Sequence, residues 1–222
     1  DFVRQDATGN ELTVMIDALC TNLTRFFREN EHFDYLADHV LPRIANDSRR
    51  QDHKLRIWSA GCSTGEEPYS IGLTVAENMP AFPSWDVGIL ATDLSTGATQ
   101  TAAEGIYDAK RVCSVPPQWR ARYFDIIQTK PHRLYRVNDS VRNMMHFSKL
   151  NLMGAWPMQS TFDAIFCRNV MIYFNKDTQA ELINRFWHML APGGTLFIGH
   201  SESLAGVKHR FRYVQPTVYE RV

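Results

Sequence analysis

The sequence predicts an α/β fold: a doubly wound, mostly parallel sheet with an antiparallel terminal hairpin, a small inserted antiparallel β-subdomain and a preceding helical segment. Three observations predict it. Leu55–Leu73 reads as buried strand, glycine turn and helix. Short apolar runs (Asp86–Thr92, Phe162–Cys167 and Thr195–Gly199) then alternate with helical stretches, as a parallel sheet with crossover helices requires. Phe211–Val214 and Val218–Val222, split by Gln215-Pro216-Thr217, read as a closing hairpin.

In chain order, Glu11–Glu29 carries apolar residues at helical spacing and predicts a helix. Asn22 and Thr24 are poor mid-helix residues and mark either a break or a polar face. A second helix is expected over about His32–Ile44. In the central stretch, Ser59 to Gly65 are all small, which lets a ligand approach the backbone. Glu66 and Glu67 then occupy the first turn of a helix, with Pro68 at an early position. Two carboxylates there would repel a pyrophosphate, which favours bare N–H groups at a positive helix end. A ligand with hydroxyls and a positive charge, such as S-adenosylmethionine, suits them better. Taken alone, a single glycine turn is better read as a plain connection whose acids complement the helix dipole, and the ligand reading needs support from further along the chain.

Asp93 ends the second strand, where an acid can take both ribose hydroxyls or cap the helix that opens at Leu94-Ser95-Thr96. Gly105 stops that helix, Gly105-Ile106-Tyr107 reads as a turn, and Pro116–Phe124 as a short helix. Leu134–Val137 and Met144–Phe147 read as two antiparallel strands. This locally basic excursion is either a solvated surface or a patch for an acidic partner. Arg168, Asn169 and Tyr173 follow the third strand directly, at the sheet end where ligands bind. A buried Arg168 needs a partner, and an acidic substrate would supply one. Asp177–Leu190 is an amphipathic helix stopped by Pro192-Gly193-Gly194. The domain reading is a helical segment over 1–50 and the main domain over 51–222, with the β insertion at about 122–148.

Composition sets the outer limits. The 222 residues are 44% hydrophobic, with 24 Lys+Arg against 24 Asp+Glu, which fits one medium domain and no dedicated nucleic-acid binder. The 4 cysteines are scattered without C-x-x-C and the 8 histidines form no H-E-x-x-H, so reduced thiols are expected and no metal site. No signal peptide or membrane-spanning run is seen, which points to a cytoplasmic protein without membrane insertion. The chain opens at Asp1-Phe2 without Met, as a piece of a longer protein would. No large amphipathic surplus is visible, which points to a monomer.

Seven stretches together resemble one family. They are NLTRFFRE (Asn22–Glu29), WSAGCSTGEEPYSI (Trp58–Ile71), ATDLS (Ala91–Ser95), GIYD (Gly105–Asp108), Asn151-Leu152, FDAIFCRNVMIYF (Phe162–Phe174) and the PGG…GHSES run (Pro192–Ser203). In order and content the chain resembles the CheR family of protein-glutamate O-methyltransferases, class I enzymes that use S-adenosylmethionine to modify chemotaxis receptors. The resemblance covers nearly the whole chain from Asn22. It implies transfer of a methyl group to glutamate side chains in the cytoplasmic helical region of methyl-accepting receptors, leaving S-adenosylhomocysteine. It implies that Asn22, Thr24, Arg28 and Ala60 line the cofactor pocket, with Glu67 and Asp93 on its polar groups. Asn151 and Leu152 would flank the adenine, and Arg168, Asn169 and Tyr173 would sit near the methyl group. Arg28, Arg168 and Tyr173 are the expected catalytic residues, orienting a carboxylate that needs no general base. Family members that dock a receptor C-terminal pentapeptide usually carry glycines in the first loop of the β-subdomain. Ile127–His132 has none, which argues against such docking.

Other classes fit less well. A nicotinamide dehydrogenase would prefer G-x-G-x-x-G without Glu66-Glu67. Gly199–Ser203 is only a near miss to the hydrolase elbow G-x-S-x-G. A non-catalytic S-adenosylmethionine-binding scaffold would share every motif and differs only in turnover.

Overall fold

The structure, a computed structural model, describes residues 23–48, 50 and 52–222. Helix α1 is built from Glu31–Tyr35 and Leu41–Ala45 joined by a π-helical turn, Leu36–Val40. Pro42 explains the wide turn: it has no N–H to donate and its ring crowds the carbonyl one turn back. The wider turn absorbs that misfit.

The strands are β1 (Lys54–Ala60), β2 (Asp86–Asp93), β3 (Ile106–Asp108), β4 (Phe124–Gln128), β5 (Leu134–Val137), β6 (Met145–Lys149), β7 (Phe162–Cys167), β8 (Leu190–Ile198), β9 (Arg212–Gln215) and β10 (Val218–Glu220). The large sheet has the order β6-β2-β1-β7-β8-β10-β9. β6, β2, β1, β7 and β8 run parallel, while β10 pairs antiparallel with β8 and β9. The helices that follow α1 are α2 (Glu66–Asn78), α3 (Thr96–Glu104), α4 (Pro117–Tyr123), α5 (Asp139–Arg142) and α6 (Lys176–Met189). From β1 the chain winds outward to β2 and β6, then returns to β7 on the other side. The switch therefore falls between β1 and β7, which opens a crevice at their carboxyl ends.

β1 shows how the sequence splits the core. Leu55 and Ile57 point into one apolar cluster with α1 and α2. Trp58 and Ala60 point into the other, with α6. Trp58 meets Trp156 edge-on at 4.8 Å and Phe186 at 5.3 Å, and its indole N–H donates to Thr92 Oγ1 at 2.9 Å. An aromatic this deep needs that acceptor.

Several expectations are corrected. Leu23–Glu29 is not helical; the rest of that expected helix lies outside the described residues. Phe27 and Glu29 have φ of 54° and 57°, and the Phe27 N–H donates to Ser70 Oγ at 3.0 Å. Phe26 is buried edge-on against Tyr107 and Phe124 and Phe27 packs beside the same cluster, while Leu23 is exposed, so these apolar residues do not form one helical face. Met145–Lys149 does not pair with Leu134–Val137: it runs parallel to β2 at the edge of the large sheet. The small sheet has the order β3-β5-β4 and draws its strands from 106–137. Ile106–Asp108 is thus a strand where a turn was expected. Three residues are too few to show a period; pairing with β5 and the burial of Tyr107 against Phe26 hold them. β8 also starts earlier than expected, at Leu190. Pro192-Gly193-Gly194 forms an irregularity inside it, with the register jumping from Phe162↔Leu190 to Ala164↔Thr195.

Candidate functional site

The crevice holds a cavity of about 560 Å³. Of the residues singled out by sequence, Thr24, Arg28, Glu67, Asp93, Asn151, Leu152, Arg168, Asn169 and Tyr173 all line it. Ala60 is buried at the end of β1, one residue before Gly61, which does line the cavity. Asn22 lies outside the described residues.

The floor is the β1–α2 loop. Gly61 has φ +95°, and a Cβ there would stand 2.4 Å from Val170 Cγ2. Gly65 caps α2 with φ +97°, and a Cβ there would meet the Tyr107 hydroxyl at 2.7 Å and Ala102 Cβ at 2.8 Å. Both turns therefore require glycine. Asp93 clamps this loop: Oδ2 accepts from the Ser63 N–H at 2.7 Å and Oδ1 from the Ser95 N–H at 3.0 Å. It is not the helix cap, because Ser95 takes that role by accepting from the Ala98 N–H at 3.0 Å. Asp93 stays at the cavity edge with lone pairs left over.

The two acids of α2 part company. Glu66 turns away from the cavity, accepting from Arg111 Nε at 2.9 Å and from the Thr64 hydroxyl at 2.8 Å. Glu67 lines the cavity; it accepts from the Ser59 hydroxyl at 2.7 Å and from Arg168 Nη1 at 3.1 Å. Burial pushes its carboxyl above the usual carboxylate range, against the opposing pull of Arg168 and Ser59.

Arg168 corrects the expectation of a substrate partner, because the protein supplies its own. The side chain is 2% exposed and bridges Glu67 on one side and Glu29 Oε2, at 3.0 Å, on the other. It also donates to the Arg28 carbonyl and lies over the Phe33 ring at 5.5 Å. Burial works to raise the Glu29 carboxyl. The Arg168 charge and hydrogen bond, with the His200 N–H, outweigh it and hold Glu29 below the usual range. The guanidinium thus ties the segment before α1 to the floor and to the end of β7. Arg28 is less enclosed: its Nη1 reaches the Leu23 carbonyl at 2.8 Å and its Nε lies 4.0 Å from Glu29 Oε1, yet a third of the side chain stays exposed at the cavity. Tyr173 is 66% exposed at the mouth.

Three functional positions were missed by sequence reasoning. Glu29 ends the NLTRFFRE stretch, but only the fold brings it to Arg168. Glu202, from the hydrolase-like run, is a buried carboxylate that accepts from the N–H groups of Gly199 (2.6 Å), Asn169 (3.0 Å) and Met171 (2.7 Å). It thereby holds the Arg168–Tyr173 loop, in which Asn169 has φ +59°. His32, buried behind Glu29, is pushed down to about 3 by burial and by Arg168, against the Glu29 carboxylate, so it is neutral.

The donor set fits S-adenosylmethionine. A backbone cradle that tolerates no Cβ and two cavity carboxylates, Glu67 and Asp93, match a ligand rich in hydroxyl donors and positive charge. Comparison with known proteins agrees. The family model described as CheR methyltransferase, SAM binding domain, matches residues 22–220. A probable chemotaxis protein methyltransferase of Rhizobium etli is 44% identical over 206 residues, covering 92% of this chain and 76% of the relative. The chemotaxis protein methyltransferase of Escherichia coli is 43% identical over 222 residues, covering 99% of this chain and 74% of that protein. Among solved structures, the chain is distantly similar to the DszA carbon methyltransferase (TM-score 0.44, 15% identity, 89% of this chain and 37% of that one). A second is the [4+2]-cyclase SpnF (TM-score 0.42, 19% identity, 81% and 48%). With the family model matching residues 22–220 and relatives 43–44% identical over most of both chains, this chain belongs to the CheR family of S-adenosylmethionine-dependent methyltransferases.

Proposed function

We propose that this chain methylates glutamate side chains in the cytoplasmic helical region of methyl-accepting chemotaxis receptors, giving glutamate methyl esters and S-adenosylhomocysteine. S-adenosylmethionine supplies an electrophilic methyl group on a sulfonium. The glutamate carboxylate is ionised at neutral pH, so the protein need not remove a proton. Its task is alignment. Asn22, Thr24, Ala60, Glu67, Asp93, Asn151, Leu152 and Asn169 serve the cofactor. Arg28 and Tyr173 orient the incoming carboxylate at the mouth. Arg168, already bridging Glu29 and Glu67, positions this constellation and does not grip substrate. Exposed Leu23 and Ile172 border the same mouth and suit the apolar flank of a receptor helix.

The observation that carries this reading is the contrast between the two arginines at the cavity: Arg168 is neutralised within the protein, whereas Arg28 keeps exposed surface facing the opening. The reading places the chain in the cytoplasm as a monomer. No helix among the described residues is long and apolar enough to cross a membrane. The test is methyl-labelled S-adenosylmethionine with a receptor cytoplasmic fragment. Label released by alkali as methanol, and lost when receptor glutamates become alanine, is the expected result. Alkali-stable label, or none, overturns the proposal. The relatives are named as methyltransferases, which favours the enzyme over a binding scaffold.

A further inference from the structure

Behind the cavity, Glu29, His32 and His200 offer ligand atoms that all lie within 4.8 Å of one another. His32 is 1% exposed. Its Nε2 contacts the Thr217 hydroxyl at 2.6 Å, and that hydroxyl in turn donates to the Pro216 carbonyl at 2.6 Å. With the hydroxyl proton so engaged, Nε2 must be the N–H and Nδ1 the bare lone pair. Nδ1 has no hydrogen-bond partner and faces Glu29 Oε2 at 3.7 Å. That oxygen already accepts from Arg168 Nη2 at 3.0 Å and from the His200 N–H at 3.2 Å, so the unmet group is the buried Nδ1 lone pair, which a cation shared with Glu29 would satisfy. The His200 ring stands edge-on to His32, centroids 5.4 Å apart, and is half exposed, so it can turn to complete the set.

We infer that Glu29, His32 and His200 form a binding site for a divalent transition metal ion of the Zn²⁺ or Co²⁺ type. Two imidazoles and one carboxylate are a donor set these ions accept, with a fourth position for water. Ligand bonds of about 2.0–2.2 Å place tetrahedral ligand atoms about 3.3 Å apart, so a set spread over up to 4.8 Å has to close by turning the His200 ring inward. The Thr217 hydroxyl behind His32 is the outer-shell partner that fixes a metal-binding tautomer. The chain spacing hides the set, because Glu29 and His32 meet His200 only through the fold. Glu29 is also the carboxylate that holds Arg168, so metal on Glu29 competes with the brace of the methyl-transfer site.

The test uses Co²⁺ as a spectroscopic probe, on the full chain without S-adenosylmethionine. One ion per chain, bound in the micromolar range with visible d–d bands and no thiolate charge-transfer band, is expected. Zn²⁺ should displace it. His200→Ala, an exposed change that leaves the melting temperature in place, should weaken binding about tenfold or more, and Cys113→Ser should not. No uptake by wild type, equal affinity in His200→Ala, or a thiolate band that disappears with Cys113→Ser would overturn the site, and a bridging water would then be what fills the gap.

Discussion

Glu66 and Glu67 are neighbours in one helical turn, yet they serve opposite sides of the molecule. Glu66 faces the small sheet, where Arg111 and Thr64 hold it and Arg111 lies over the Tyr107 ring at 4.8 Å. Glu67 faces the cavity, where Arg168 and Ser59 hold it. Each pairs a buried carboxylate with an arginine and a hydroxyl. They differ in the arginine: Arg111 is one-third exposed, while Arg168 is sealed. One pair can fall back on water and the other cannot. The first should therefore govern attachment of the small sheet, the second the geometry of the site.

Glu67→Ala is the largest break. It leaves Arg168 buried with one carboxylate fewer, a loss of the kind that costs about 3–5 kcal/mol. In a chain of this size that is about 10 °C in Tm. Calorimetric binding of S-adenosylmethionine should disappear with it, and unchanged affinity would show that Glu67 is structural only. Glu66→Ala should cost less, about 1–3 kcal/mol, because Arg111 regains solvent. Its cofactor affinity should match wild type. A loss of affinity equal to that of Glu67→Ala would erase the division between the two sides.

The two loop glycines repeat the contrast at smaller scale. Gly61→Ala and Gly65→Ala each place a Cβ at positive φ, against Val170 in the first case and against Tyr107 and Ala102 in the second. Overpacking of this kind costs about 1–3 kcal/mol. Both variants should melt early, but only Gly61→Ala should weaken the cofactor, since only Val170 lines the cavity. Equal weakening by Gly65→Ala would mean that the whole loop moves as one body.

The central strands of the large sheet were legible because they are long, apolar and separated by glycine and proline signals; β2 and β7 fall within a residue of where the pattern put them, while β1 runs on through Ser59 and Ala60, whose small side chains read as loop. The small sheet was legible only in part: its presence and β5 were expected, whereas β3 read as a turn and β4 gave no strand signal. Its strands are short, and Met145–Lys149 carries the same composition as a hairpin partner of Leu134–Val137 while the tertiary fold recruits it to β2. The site shows the same split. Side chains beside the glycine loop and at strand ends could be read from position, because the fold class fixes where such ends meet. Glu29, His32 and Glu202 act through contacts of long sequence separation, such as Arg168–Glu29 and His32–Thr217, and no local pattern encodes those. For the same reason the charge state around Arg168 was misjudged: its neutralising partner Glu29 comes from a segment whose local pattern reads as helix.

The finest test uses the two hydroxyls. Ser59 donates to Glu67 at 2.7 Å, and Tyr107 donates to the Thr64 carbonyl at 2.8 Å. Ser59→Ala and Tyr107→Phe each delete one hydrogen bond worth about 1 kcal/mol, so their melting temperatures should fall by similar small amounts. Their effects on the cofactor should differ. Ser59 is one of the two groups that pull the Glu67 carboxyl down against burial, so without it the acid holds its proton more readily and presents less negative charge to a cationic ligand. Cofactor affinity in Ser59→Ala should therefore fall, and fall further as the pH is lowered. Tyr107→Phe should bind as wild type at every pH, because its lost bond belongs to the Glu66 side. A pH-independent loss in Ser59→Ala would mean that the hydroxyl shapes the floor of the cavity and leaves the charge of Glu67 unchanged.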